Sequence, residues 1–73
     1  MNSTSLRQFW SMVEQTQTSV LLELSDRELK TRLQEQWEQH HNVSAPELRL
    51  VQEYIQAKMP LIRDLAEIRW ADR

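Results

Sequence analysis

Residues 44–71 read SAPELRLVQEYIQAKMPLIRDLAEIRWA, and the fold turns on this stretch. It opens as a helix start: Ser44 at the cap, Glu47 three residues on, Val43 before it and Leu48 at the fourth helical position. Pro46 is tolerated in a first turn. Two apolar lines then run at helical spacing. Leu48, Val51, Ile55, Met59 and Ile62 form one; Leu50, Tyr54, Leu61, Leu65 and Ile68 lie beside it. Together they cover roughly 180° of the helix, where a one-sided surface helix needs about 100°. Such a helix must be covered from two directions.

Length makes the same point. A helix over 45–71 is ~40 Å long, whereas a compact domain of this size is about 29 Å across. The helix overhangs its domain or bends. Pro60 marks where it bends: its ring removes one hydrogen bond and meets the carbonyl of Gln56. Gln56, Ala57, Lys58, Met59 and Leu61 are all good helix formers, so a kink is expected rather than a break.

Upstream, Leu24-Ser25-Asp26-Arg27-Glu28-Leu29 repeats the same capping grammar and predicts a helix over 26–41. Its apolar line is narrow: Leu29, Leu33 and Trp37. Asp26–Lys30 and Glu28–Arg32 stand at acid-first i,i+4 spacing, each adding a few tenths of a kcal/mol. This is a solvated outer helix docked along one line. The first helix, 5–23, starts at Ser5 with Gln8 three residues on. It carries Leu6, Phe9, Trp10, Met12, Val13, Val20, Leu21 and Leu24. Thr16-Gln17-Thr18-Ser19 has poor helix propensity and is the place where it would be interrupted.

The expected fold is therefore all-α: one domain over 1–73, a helical hairpin or three-helix protein with a long, Pro-kinked C-terminal helix. The narrow line on 26–41 cannot cover the wide face of 45–71. The first helix supplies part of the rest, and a second copy of the chain, packed in coiled-coil manner, is the natural supplier of what remains. Leu48, Val51, Ile55, Met59 and Ile62 are assigned to that oligomer interface.

Composition removes most chemistries. The 73 residues contain neither Gly nor Cys. Phosphate-cradling loops, dinucleotide fingerprints and nucleophile elbows need glycine. Disulfides are impossible, and a zinc site would need His and carboxylates alone. Net charge is −2. Residues 1–24 carry one basic and two acidic side chains, 25–46 three and four, and 47–73 five and five, so no segment has a nucleic-acid binder's basic footprint. The longest apolar run, Val20-Leu21-Leu22, is far too short to span a bilayer. A lone Arg7 with no long apolar stretch after it does not read as a signal peptide, so the cytoplasm is the expected compartment.

The residue clusters that might carry chemistry read as structure. His40 and His41 have Glu35 and Glu38 a turn upstream, but adjacent histidines on a helix point about 100° apart and do not share a metal easily. Ser25 and Ser44 are spent as caps. A chain this short has little room for a pocket of ~300 Å³ or more. No catalytic, cofactor-binding or metal-binding residue is assigned, and no enzyme activity is expected. Residues 26–41 and 45–71, with a short turn between, have the outline of a helix-turn-helix DNA-binding regulator, which is the alternative reading. Glu47 and Glu53 on the would-be recognition helix oppose it by repelling phosphate.

As a whole the chain resembles no family. In part, Ser5-Leu6-Arg7-Gln8-Phe9 followed by Leu24-Ser25-Asp26-Arg27-Glu28 resembles the small helical-hairpin adaptors with which cyanobacteria dismantle phycobilisomes. The resemblance covers under half the chain, and the long third helix has no counterpart. No functional residue is carried across. The expected function is that of a non-enzymatic adaptor, assembly factor or regulatory inhibitor, a homo-oligomer that binds another protein and neither nucleic acid nor membrane. The segment after Pro60 is the expected partner surface: Leu61, Leu65 and Ile68, with Arg69 at the edge and Trp70 as aromatic anchor. Arg63 and Arg73 flank it.

Overall fold

The structure is a computed structural model, and it describes residues 2–71. Among these residues there are four helices and no strands: α1 (Ser3–Gln15), α2 (Thr18–Glu23), α3 (Asp26–His40) and α4 (Ala45–Ala71). The expected helix over 5–23 is thus two helices. It also starts earlier, because Asn2 rather than Ser5 is the cap, its Oδ1 accepting from the Ser5 amide at 2.8 Å. The interruption falls at Thr16. The Thr16 amide is shared between the Met12 and Val13 carbonyls, both at 3.1 Å. Its hydroxyl donates back to the Met12 carbonyl at 2.8 Å and lies 3.3 Å from the Gln36 side-chain amide. Thr16 and Gln17 then turn extended, with ψ of 140° and 136°. A Thr side chain that satisfies the backbone locally removes the reason to continue the helix.

The later boundaries match the capping grammar. Ser25 closes a full capping box with Glu28: the Glu28 amide donates to Ser25 Oγ at 3.2 Å, and the Ser25 amide donates to Glu28 Oε1 at 3.4 Å. Ser44 Oγ accepts from the Glu47 amide at 3.4 Å, and α4 follows. Pro60 lies inside α4 on its exposed side, and α4 continues past it.

α3 and α4 form an antiparallel hairpin. Asp26 meets Arg63, Lys30 meets Gln56 and Gln34 meets Gln52, so contacts on the two helices advance in opposite directions. α2 returns along α4 beside it, and α1 closes over the far end through Phe9. That ring is fully buried and meets Tyr54 of α4 edge-on at 5.2 Å and Trp37 of α3 at 6.2 Å. Such aromatic pairs add about 0.5–1.5 kcal/mol beyond area burial. The core comprises Phe9, Val13, Leu21, Leu29, Leu33, Trp37, Val51, Ile55, Met59, Ile62 and Ala66. The molecule measures 38 × 24 × 20 Å, so α4, ~40 Å long, sets its long axis.

Arg63 ties the corner between α2 and α3. Its guanidinium donates to the carbonyls of Leu21 and Leu24, both at 2.6 Å, and to the Asp26 carboxylate at 2.8 Å. One residue of α4 thereby satisfies the end of one helix and touches the start of the next. Among the described residues, no buried side-chain nitrogen or oxygen lacks a partner.

Candidate functional site

Of the two apolar lines on α4, the fold buries one. Val51, Ile55, Met59 and Ile62 are at most 6% exposed, covered by α1, α2 and α3 of their own chain, and Leu48 is half-buried. This is the line that the sequence assigns to the oligomer interface, and within the single chain it lies in the core. α2 and α3 of the same chain pack on this side of α4, and of the four residues only Met59 reaches a surface groove, beside Asp26, Arg27, Lys30 and Gln56.

The second line is the one left outside. Leu50 is 52% exposed, Leu61 45%, Leu65 41% and Ile68 58%, with Tyr54 half-buried among them. With the exposed Ala57 they step 4, 3, 4, 4 and 3 residues apart, close to the alternation of a coiled-coil seam. At helical spacing they fall within about 80° of arc. The seam continues onto α1, because Leu6 lines a shallow groove with Leu50, Glu53 and Tyr54. Beside it, Trp10 Nε1 donates to the Tyr54 hydroxyl at 2.9 Å, and Lys58 Nζ stands 5.9 Å from the Tyr54 ring. The Tyr54 ring is therefore held by its neighbours on α1 and α4.

The expected partner surface divides. Leu61, Leu65 and Ile68 belong to this seam. Arg69 does not: it is half-buried, and its guanidinium donates to the Thr16 carbonyl at 3.2 Å, holding the α1–α2 junction. Trp70 lies about 180° around the helix from Leu61. It is 56% exposed and lines a groove at the α1–α2 junction with Gln15, Thr16, Gln17, Thr18, Ser19 and Arg69. Arg73 lies outside the described residues. Leu50, Tyr54 and Leu6 adjoin Leu61, Leu65 and Ile68 on this face, and Arg69 and Trp70 lie apart from it. The repeat of Leu50, Tyr54, Leu61, Leu65 and Ile68 was the signal for the first two.

Among the described residues no three His, Asp or Glu side chains come together to hold a metal ion. His41 stacks on the Trp37 ring at 3.8 Å, an interplanar angle of 22° away from parallel. Nor is any helix among the described residues long and apolar enough to cross a membrane. No protein-family model, no curated protein and no solved structure matches this chain.

Proposed function

We propose that this protein is a small, non-enzymatic protein–protein contact module that works as a homo-oligomer through the outer face of α4. The observation that carries this reading is the seam of Leu50, Tyr54, Leu61, Leu65 and Ile68, apolar and exposed along most of the molecule's length. Contiguous apolar patches on a monomer mark places where something docks.

The flanks of the seam favour a protein over other occupants. Arg49, Glu53, Lys58, Asp64 and Glu67 mix both signs, and the chain is net acidic. An anionic lipid surface or a nucleic-acid backbone wants a basic flank. The DNA-binding alternative also loses its geometry: α3 and α4 run side by side as a hairpin, not crossed at about 90–120°. A bend at Pro60, on the side away from the core, would let α4 wrap its own domain while keeping the seam outward. The cytoplasm is the compartment this reading assumes.

Magnitude sets the working range. Full burial of a Leu or Ile is worth about 1.5–3 kcal/mol, so covering the exposed half of Leu50, Leu61, Leu65 and Ile68 gives roughly 1 kcal/mol each, or ~8 kcal/mol for two copies. Association costs of about 4 kcal/mol or more come off that sum, leaving about 4 kcal/mol, a millimolar Kd, from these four side chains alone; Leu6, Trp10, Ala57 and Tyr54 must add roughly 2–4 kcal/mol at the contact to bring self-association into the micromolar range. Sedimentation equilibrium between ~10 and 500 μM is the test. The expected result is a mass rising from 8.8 kDa toward twice that value, and returning to the monomer value in Leu65→Asp with helicity unchanged. A wild-type chain that stays monomeric throughout overturns the reading.

A further inference from the structure

From the order of residues along the seam we infer that two copies pair α4 against α4 in antiparallel fashion, about a two-fold axis at Ala57–Lys58. This rests on the reading of the α4 outer face as the contact surface and adds the occupant's orientation and register.

Four of the six seam positions are symmetric about one point. Leu50 and Leu65 stand equally far from the point between Ala57 and Lys58, and so do Tyr54 and Leu61. A two-fold interface uses the same patch on both copies, with residue i touching j and j touching i. Turned end for end, the seam sets Leu50 on Leu65 of the second copy and Tyr54 on its Leu61. At the ends Ile68 falls on Glu47 of the second copy; at the axis stands Ala57, beside Lys58 and Ala57 of the second copy. Ala57 is the small side chain of the seam, placed where the two helices would come closest, and its methyl permits an interaxial distance near the lower end of the 8–10 Å range.

Charge agrees with this orientation. Along the open flank of the seam, Arg49 stands at the N-terminal end and Asp64 and Glu67 at the C-terminal end, all exposed. Antiparallel pairing brings this flank against its own copy, because antiparallel neighbours share flanks. Arg49 then falls between Asp64 and Glu67 of the second copy, twice per dimer. Glu53 is a like-charged neighbour of that Asp64, and Arg49 lies next to both. Parallel pairing instead sets Asp64 beside Asp64 at a seam-facing position and stacks Tyr54 on Tyr54. Lys58 stands beside Lys58 of the second copy in either arrangement, so the Asp64–Asp64 opposition is the charge contact that specifies against the parallel one.

The absence of cysteine makes the register directly readable, since any single introduced thiol is unique. The variants are Ala57→Cys, Leu50→Cys and Leu65→Cys, all at exposed positions of α4. Circular dichroism confirms helicity before oxidation with copper–phenanthroline. Helices about 8 Å apart bring the two Ala57 Cα atoms to ~5 Å, inside the disulfide range of roughly 4.4–6.8 Å. Two copies of position 50 are separated by about 22 Å along the axis. The expected result is that Ala57→Cys links to itself. Leu50→Cys and Leu65→Cys link to each other when mixed, at least tenfold more than either does alone. Efficient self-linking of all three variants means a parallel pair and overturns the inference while leaving self-association standing. A dimer by mass with no linking at any of these positions places the contact elsewhere and overturns the inference too. No linking together with a monomeric mass overturns the inference and the proposed self-association alike.

Discussion

Replacing Arg63 by Met removes the guanidinium while keeping most of the apolar stem. The side chain is 20% exposed and makes three polar contacts: the Leu21 and Leu24 carbonyls at 2.6 Å each and the Asp26 carboxylate at 2.8 Å. A hydrogen bond to a charged donor contributes about 1.5–3 kcal/mol when its loss strands a buried acceptor. Here water can reach part of the corner, so the lower end applies, and the two carbonyls together give about 2–3 kcal/mol. The Asp26 contact adds little. Its side chain is 79% exposed, and exposed ion pairs yield ~0–1 kcal/mol, less as salt rises. For a chain of this size 1 kcal/mol moves Tm by roughly 4–8 °C, so Arg63→Met should melt about 10–20 °C lower. Asp26→Asn should lose only a few degrees, and part of that loss should vanish in 0.5 M salt. Thermal melts of the two single variants and the double variant decide the matter. An Arg63→Met melt within 2–3 °C of the parent would mean that water serves the carbonyls as well as the guanidinium does, contrary to this expectation. A loss in Asp26→Asn as large as in Arg63→Met would contradict it too, because the charge pair would then carry the corner.

Ser25→Ala and Ser44→Ala should each cost within the ~0.5–2 kcal/mol of a lost N-cap, with Ser25 the more costly. The full capping box and 3.2 Å bond at Ser25 against the 3.4 Å bond at Ser44 set that order, and urea midpoints check it. Trp10→Phe and Tyr54→Phe should each lose about 0.5–1.5 kcal/mol with the 2.9 Å indole–hydroxyl bond. Their double variant should cost less than the two together, because the pair shares one interaction.

Where signals were local, they were legible. The starts of α3 and α4 follow from Ser25 with Glu28 and Ser44 with Glu47, because a cap is satisfied within four residues and needs no tertiary partner. The break at Thr16 was flagged by weak propensity but not decided by it. It is completed by Gln36 and Arg69, which stand 20 and 53 residues away along the chain. The start of α1 was misplaced because Asn2 and Ser5 are both competent caps, and Asn2 gains the helix an additional turn. The site was half legible. Both lines of α4 are equally apolar, so periodicity alone does not say which one α1, α2 and α3 will cover. Arg69 and Trp70 looked like an interface edge by composition. Their positions on the helix turn them toward the α1–α2 junction, where Arg69 serves a carbonyl instead.

In the proposed assembly neighbouring residues of α4 have opposite duties: one line holds the chain's own fold, the other meets a second copy. Leu61 and Ile62 adjoin in sequence, 45% and 0% exposed. Sedimentation velocity paired with far-UV circular dichroism on Leu61→Asp and Ile62→Asp compares them directly. Leu61→Asp should stay helical and sediment as an 8.8 kDa monomer at concentrations where the parent associates. Ile62→Asp should lose its helical signal outright, since a buried unpaired carboxylate costs more than a small domain can absorb. If Leu61→Asp unfolds as Ile62→Asp does, or associates as the parent does, the outer line of α4 is not the contact face.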